Sequence, residues 1–301
     1  MADLVGRCAA ARSPATSANL GPGFDSFGLA LGLYDDFEVT LVRAGLEIDV
    51  EGEGAELVPR DESHLVVTAM RAAFDRLGAR QPGLRLRCRN RVPHGRGLGS
   101  SASAIVSGVV LARALAESAR EPSDEDMLGL AAEIEGHPDN VAACMLGGFT
   151  LAWTTDQGVR ALRLEPHPGL RPVVFVPPAP VATDVARGLL PAGVSHRDAS
   201  VNAAHAGLLV AAITSRPDLL LEASSDLLHQ EFRRPAMPVS LALVDAIRSE
   251  GSPAVLSGAG PAVLALATAD AAVDVPRWTP PGWRALRLEI SPVGCAVTSA
   301  R

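Results

Sequence analysis

Lysine is absent from this 301-residue chain, so all 27 Lys and Arg positions are arginine. A Walker-A phosphate loop, which ends in Gly-Lys-Ser/Thr, is therefore excluded. Cation work falls to guanidinium groups or to a metal. Positive charge is also in short supply overall, since the formal net charge is -7. Nucleic-acid binders need a basic face, and none is indicated here. Aromatic residues make up only 4% of the chain, so the core must come mostly from Ala, Val and Leu. The four cysteines, Cys8, Cys88, Cys144 and Cys295, form no C-x-x-C pair. That spacing argues against a zinc knuckle or a redox dithiol and fits reduced thiols in a cytosolic protein. No apolar run reaches the roughly 18 residues a membrane helix needs. The opening MADLVGRCAAARS has no apolar segment of signal-peptide length. No membrane association is expected, and the cytoplasm is the expected location.

Hydrophobic residues are plentiful at 48%, enough for a sizeable core, and the length suggests two domains. Alternation predicts strands on both sides of Ala44-Gly45, within Val39 to Val50, and another over Leu84 to Cys88. Apolar spacing predicts a helix from Ser63, as N-cap, to Leu77, with Val66, Met70, Ala73, Phe74 and Leu77 on one face. Further helices are expected over Ser101 to Glu117, Ser123 to Glu135, Ala199 to Thr214, Pro217 to Leu228 and Val239 to Ser249. FTLAW, Val173 to Val176, Val263 to Ala267 and Ala285 to Leu288 read as strands, and LSGAGPAVLAL carries a turn between apolar runs. Pro and Gly thicken after position 160, which divides the chain into 1–160 and 161–301. Strands and helices interleave without a regular βα repeat, so the expected class is α+β.

The stretch PHGRGLGSSASA, 93 to 104, follows a predicted strand and opens a predicted helix. The first N–H groups of a helix lack internal partners, and its dipole is positive there, so an anion fits. Gly97 and Gly99 allow close backbone approach, and Ser100 and Ser101 add hydroxyls for a phosphate oxygen or Mg2+. The spelling matches a dinucleotide fingerprint only in part, because no third glycine follows Gly97 and Gly99, and it fails as a serine-hydrolase elbow. Taken alone, the loop is equally well read as a turn that caps a helix.

Two more segments are rich in small residues: PATSANLGPGFD at 14–25 and LSGAGP at 256–261. Together with the loop, EGHPDN at 135–140 and LHQEFR at 228–233, this arrangement resembles the GHMP small-molecule kinases, from about Pro14 to Pro261. The combination carries the resemblance; no single motif does. It implies an N-terminal α/β domain with a left-handed βαβ crossover and a C-terminal ferredoxin-like domain, with ATP between them. It also implies ATP-dependent phosphorylation of the side-chain hydroxyl of L-homoserine, giving O-phospho-L-homoserine for threonine synthesis. Another small alcohol such as mevalonate, or a silent nucleotide sensor on the same fold, is the alternative. A homodimer is a family expectation.

The resemblance also assigns residues. The phosphate loop comprises Pro93, His94, Gly95, Arg96, Gly97 and Leu98, then Gly99, Ser100, Ser101, Ala102 and Ser103. Mg2+ falls to the Ser101 hydroxyl and the Glu135 carboxylate, so the missing lysine is replaced by the helix end, the metal and, as a further candidate, Arg96. An amino-acid substrate needs a cation for its carboxylate, and the family pattern points to Arg187 and to Arg233 rather than Arg234. Asp25 suits the ammonium, and Asn19 the hydroxyl. His137, Asp139, Thr183 and Gly258 line the same pocket. Asn140 stands where some relatives place an aspartate, and a neutral amide orients a hydroxyl without accepting its proton, so direct attack without a strong base is expected. His94-Gly95 and Ala143 depart from the family's common residues without removing a proposed ligand.

Overall fold

The computed structural model describes residues 5–116, 122–268 and 273–300. The chain runs β1 (Cys8–Ala18), β2 (Phe27–Val42), β3 (Leu46–Gly52), α1 (Leu65–Arg76), β4 (Gly83–Asn90), α2 (Ser100–Leu115), α3 (Asp124–Glu135), α4 (Asp139–Leu146), β5 (Phe149–Thr155) and β6 (Gly158–Leu164). It continues through β7 (Leu170–Val176), α5 (Thr183–Gly188), α6 (His196–Thr214), α7 (Leu220–Ala223), α8 (Pro238–Ser249), β8 (Ala254–Leu256), β9 (Val263–Thr268), α9 (Val275–Trp278), β10 (Arg284–Arg287) and β11 (Ala296–Ala300). The class is α+β, as the interleaving predicted.

Strands β1 to β6 and β11 form one sheet with the path β11-β1-β2-β4-β3, and β5 joins β2. The strands flanking Ala44-Gly45 are neighbours in sequence but not in space. β4 lies between them, antiparallel to β2 and parallel to β3. The unit β3–α1–β4 is thus a βαβ crossover. The second sheet has the order β10-β7-β9-β8, with every pair antiparallel. That is the 4-1-3-2 order of a ferredoxin-like sheet. β6 pairs with β5 through Leu164, so position 160 falls inside a strand of the first sheet, and β11 returns to that sheet from the far end of the chain.

Three apolar clusters hold the layers together. One packs the first sheet against α1, α2 and α3, with Leu41, Phe74, Leu86 and Val106 fully buried. A second joins the two halves: Leu29 and Phe149 of the first sheet share it with Val174, Leu264 and Ile213. The third lies between the outer face of the second sheet and α8, where Phe175, Val263 and Ile247 meet. Period-2 alternation on β7 sends Val174 to one of these clusters and Val173 and Phe175 to the other. Among the described residues no helix is long and apolar enough to cross a membrane.

Several expected boundaries shift for local reasons. His64, not Ser63, caps α1, because its Nδ1 accepts from the Val66 N–H, while Ser63 bonds Asp61. Ser123 caps α3 as expected, with a reciprocal bond from its own N–H to Asp126. The helix expected to Glu117 is described to Leu115, and Glu117 lies outside the described residues. The helix expected over Pro217 to Leu228 is only a 3-10 turn and the four-residue α7. Asp226 ends it by accepting from the N–H groups of Leu228, His229 and Gln230, a side-chain competitor to the helical ladder.

Candidate functional site

Gly99 caps α2 with φ 69°, and Gly95 and Gly97 share that left-handed conformation. A Cβ at Gly97 would sit 2.1 Å from the Ser257 carbonyl, and one at Gly99 would sit 1.9 Å from the Thr16 hydroxyl oxygen. No other residue fits at either place without moving backbone or a buried strand. The loop's carbonyls bind the scaffold: Leu98 accepts from Thr16 N–H at 3.0 Å, Gly97 from Ser257 Oγ at 2.6 Å, and Gly95 from Val181 N–H at 3.1 Å. With its carbonyls turned to the scaffold, the loop presents the N-terminal end of a 16-residue helix to the cleft.

That cleft measures about 720 Å3 and brings together most of the residues singled out from sequence. Its lining includes Gly95, Gly97 to Ser101, Asn19, Glu135, His137, Asp139, Asn140, Thr183, Arg187, Arg233 and Gly258. Asp25 reaches it through Arg187. Pro93, His94, Arg96, Ala102 and Ser103 do not line it, and His94 lines the neighbouring pocket instead. Arg96 spends its guanidinium on the carbonyls of His94, Pro177 and Pro178, and so latches the loop to the second half of the chain. Ser103 is buried and donates to Asp35.

The Ser101 hydroxyl donates to Glu135 Oε1 at 2.6 Å, across the mouth of the helix. Burial raises the Glu135 carboxyl above its ordinary value, although the Ser101 hydrogen bond pulls the other way. One hydroxyl and one carboxylate at contact distance are hard oxygens of the kind that hold Mg2+ alongside phosphates and water. A divalent cation there would offset the burial that now disfavours the ionised carboxylate. The donor set therefore fits the metal that the family resemblance implies.

At the other end of the cleft the chemistry is carried by charged side chains. Arg187 makes a two-pronged ion pair with Asp25, at 2.6 and 3.1 Å, and the Asp25 hydrogen bond raises its pKa. Arg233, projected by the 3-10 turn 231–233, is 1% exposed. Its Nη1 donates to the Gly258 carbonyl at 3.0 Å, but its Nε has no partner. Burial, with the charge of Arg187 added, pushes the Arg233 pKa down to about 10. It remains a cation at neutral pH, with unspent donor capacity in a buried place, which is costly without an anion. The Phe24 ring lies 5.8 Å from the Arg187 guanidinium and 5.9 Å from that of Arg233, and His229 stacks behind it.

Asn19 is more engaged than its sequence suggests. Its Nδ2 donates to the Gly258 carbonyl at 2.9 Å, and its Oδ1 accepts from Asp25 N–H at 2.9 Å. It thereby ties the 14–25 segment to the 256–261 segment. Asn19, Leu20 and Asp25 all have positive φ, so the segment is held in a strained turn. His137 bonds Asp139 at 2.8 Å. Burial alone would lower the His137 pKa, but that bond and the charges of Asp139 and Glu135 outweigh it and raise it.

Three residues were not found from sequence. Thr16 donates to Asn140 Oδ1 at 2.7 Å. Asp35, buried, accepts from the N–H groups of Arg91 and Val92 and from Ser103, which fixes both ends of the loop. Ser257 binds Gly97 and Ser17. Thr16 and Ser257 lie inside the segments already singled out, so the signal was present without a role. Asp35 sits in an ordinary-looking strand and carried none. Beside the cleft, and sharing Gly95, Ser100 and Ser101 with it, is a second pocket of about 660 Å3 with walls that include Phe37, Val58, Pro59, Leu65 and Ala104.

Comparison with known proteins matches this arrangement. The family model described as GHMP kinases N terminal domain matches residues 64–148, and that described as GHMP kinases C terminal matches 208–277. The chain is 57% identical over 287 residues to a homoserine kinase of Streptomyces coelicolor, covering 95% of this chain and 93% of that one. It is 48% identical over 300 residues to a homoserine kinase of Clavibacter michiganensis, covering 97% and 95%. A crystal structure of homoserine kinase from Cytophaga hutchinsonii superposes with a TM-score of 0.84 at 26% identity, covering 96% of this chain and 97% of that one.

Proposed function

Since the chain belongs to the GHMP kinase family, we propose that it transfers the γ-phosphoryl group of ATP to the side-chain hydroxyl of L-homoserine, giving O-phospho-L-homoserine and ADP. The observation that carries this reading is Arg233, a buried cation with an unpartnered Nε, beside the Arg187–Asp25 pair in the same cleft as the phosphate loop. A zwitterionic amino acid supplies what that end lacks. Its carboxylate completes Arg233 and Arg187, and its ammonium takes up Asp25.

Phosphoryl transfer asks a protein mainly for positioning and for stabilisation of charge. The N-terminus of α2 and the 93–103 loop bind the phosphates through backbone N–H groups, which takes the place of the absent lysine. Ser101 and Glu135 would hold Mg2+, which when bound supplies positive charge against the phosphates. The purine goes to the apolar pocket that opens beside Ser100 and Ser101, where Val58, Pro59, Leu65 and Ala104 give it a dry surface. Asn19 and Gly258 set the geometry of the acceptor end, and His137, Asp139 and Thr183 complete its wall. Asn140 orients the attacking hydroxyl. An amide is a poor proton acceptor, so the new O–P bond forms as the bond to ADP breaks, and the hydroxyl proton leaves late, to a phosphate oxygen. The nucleotide end is drawn chiefly from 1–160 and the acceptor arginines from 161–301. A cytoplasmic location and a homodimer belong to the same reading.

A coupled assay with ATP, Mg2+ and L-homoserine tests this, with parallel wells of mevalonate, galactose, L-serine and no acceptor. ADP release with L-homoserine alone is the expected result. Turnover on mevalonate instead, or ATP binding with no turnover on any acceptor, would overturn it.

A further inference from the structure

Thr16 touches both halves of the proposed machinery. It is fully buried on β1. Its N–H donates to Leu98 of the phosphate loop at 3.0 Å, and its hydroxyl donates to Asn140 Oδ1 at 2.7 Å. Gly99 leaves the room for this, since a Cβ there would lie 1.9 Å from the Thr16 oxygen and 3.2 Å from Asn140 Oδ1.

The two ends of the Asn140 amide are chemically opposite, and their surroundings differ. Oδ1 is taken by the Thr16 hydroxyl. Nδ2 makes only a long contact, 3.4 Å, with Asp139 Oδ1. That carboxylate oxygen is already served by Asn140 N–H at 2.7 Å and by His137 at 2.8 Å. Reversing the amide would set its oxygen against the Asp139 carboxylate. Acceptor would face acceptor, which is unfavourable. The amide is thus fixed with its oxygen inward, and donor capacity remains on its nitrogen, at a residue that lines the cleft.

We propose that Thr16 is a positioning residue for the transfer reaction: its hydroxyl anchors the Asn140 amide so that the amide nitrogen, a hydrogen-bond donor, serves the reacting groups. The inference rests on the phosphoryl-transfer reading of the cleft. Asn140 then bonds a lone pair of the attacking hydroxyl or a phosphate oxygen and leaves the acceptor's proton untouched. The contact with Leu98 ties the same residue to the loop, so the donor and the phosphate site keep a fixed spacing.

Thr16→Val keeps the shape and removes the donor. It should lower kcat about ten- to a hundredfold, the effect of one buried hydrogen bond, while the KM values for ATP and L-homoserine move less than about threefold. Thr16→Ser should restore most of kcat, and Thr16→Val placed on Asn140→Ala should cost little more than Asn140→Ala alone. Equal losses in Thr16→Ser and Thr16→Val, or additive losses with Asn140→Ala, would overturn the proposal. Should Thr16→Val not fold, Thr16→Ala, which also lacks the hydroxyl, carries the same expectations. The side-chain amide signals of Asn140 in 15N-labelled protein, identified by their loss in Asn140→Asp, read the geometry without any substrate. They should be a single sharp pair in the parent and in Thr16→Ser, and shifted or broadened in the donor-less variant. Unchanged signals there would count against Thr16 even if no acceptor were turned over. Absence of parental turnover with altered signals would instead fault the reaction assigned to the cleft.

Discussion

The two ends of the cleft are built from different materials. The proposed phosphate end is backbone: three glycines in left-handed conformation, carbonyls turned to the scaffold, and a helix terminus. The proposed acceptor end is side chain: Arg187 and Asp25 paired, Arg233 buried, Asn19 clamped between two segments. A phosphate can be recognised by N–H groups of any sequence, so the first end constrains shape. An amino acid has a carboxylate and an ammonium at fixed separation, so the second end constrains charge.

Substitutions should separate the two ends by size and kind of effect. The largest is expected at Gly99→Ala, which adds a clash with Thr16 to a strained φ. Turnover should fall below about 1% of the parent, with melting lowered by about 5 °C. Retained turnover would mean that the loop has more slack than its contacts allow. Arg233→Ala comes next, with an L-homoserine KM raised about a hundredfold and ATP binding by calorimetry unchanged. Arg187→Ala should raise the same KM only about tenfold, because this arginine is half-buried and its charge is more readily replaced by water. If the two arginines prove equal, burial is not what ranks them. The smallest effect is expected from Ala104→Leu, which narrows the apolar pocket. The ATP KM should rise about fivefold with the L-homoserine KM unmoved, at the scale of a few displaced contacts. A shift in the acceptor KM would place that pocket at the wrong end.

The parts of this fold legible in the sequence are those whose signals are local. The face of α1, the extent of α8, the Ser123 cap and the alternation of β4 follow from spacing along a single element. The end of β1 was hidden because its last six residues are buried, with no alternation left to read. α4 is only eight residues long, and the exposed β11 has no apolar face, so neither rises above its surroundings. Asp226 ended a helix that periodicity extended to Leu228, since a carboxylate that takes three N–H groups outweighs propensity. At the site, the glycine-rich segments were readable, and their combination carried the family resemblance.

Arg96 and Arg233 mark the boundary between the two kinds of information. Both are arginines within motifs, and the sequence alone made each a candidate cation. The fold gives Arg96 carbonyl partners on both sides of the cleft and leaves it a latch. It buries Arg233 with one nitrogen unsatisfied, the feature on which its proposed role as carboxylate binder rests. The sequence by itself determined the helix end, the glycines that open it and the residue types available to meet an amino acid. Only the tertiary structure decided which donors are already spent, because hydrogen-bond satisfaction depends on partners brought from tens or hundreds of residues away.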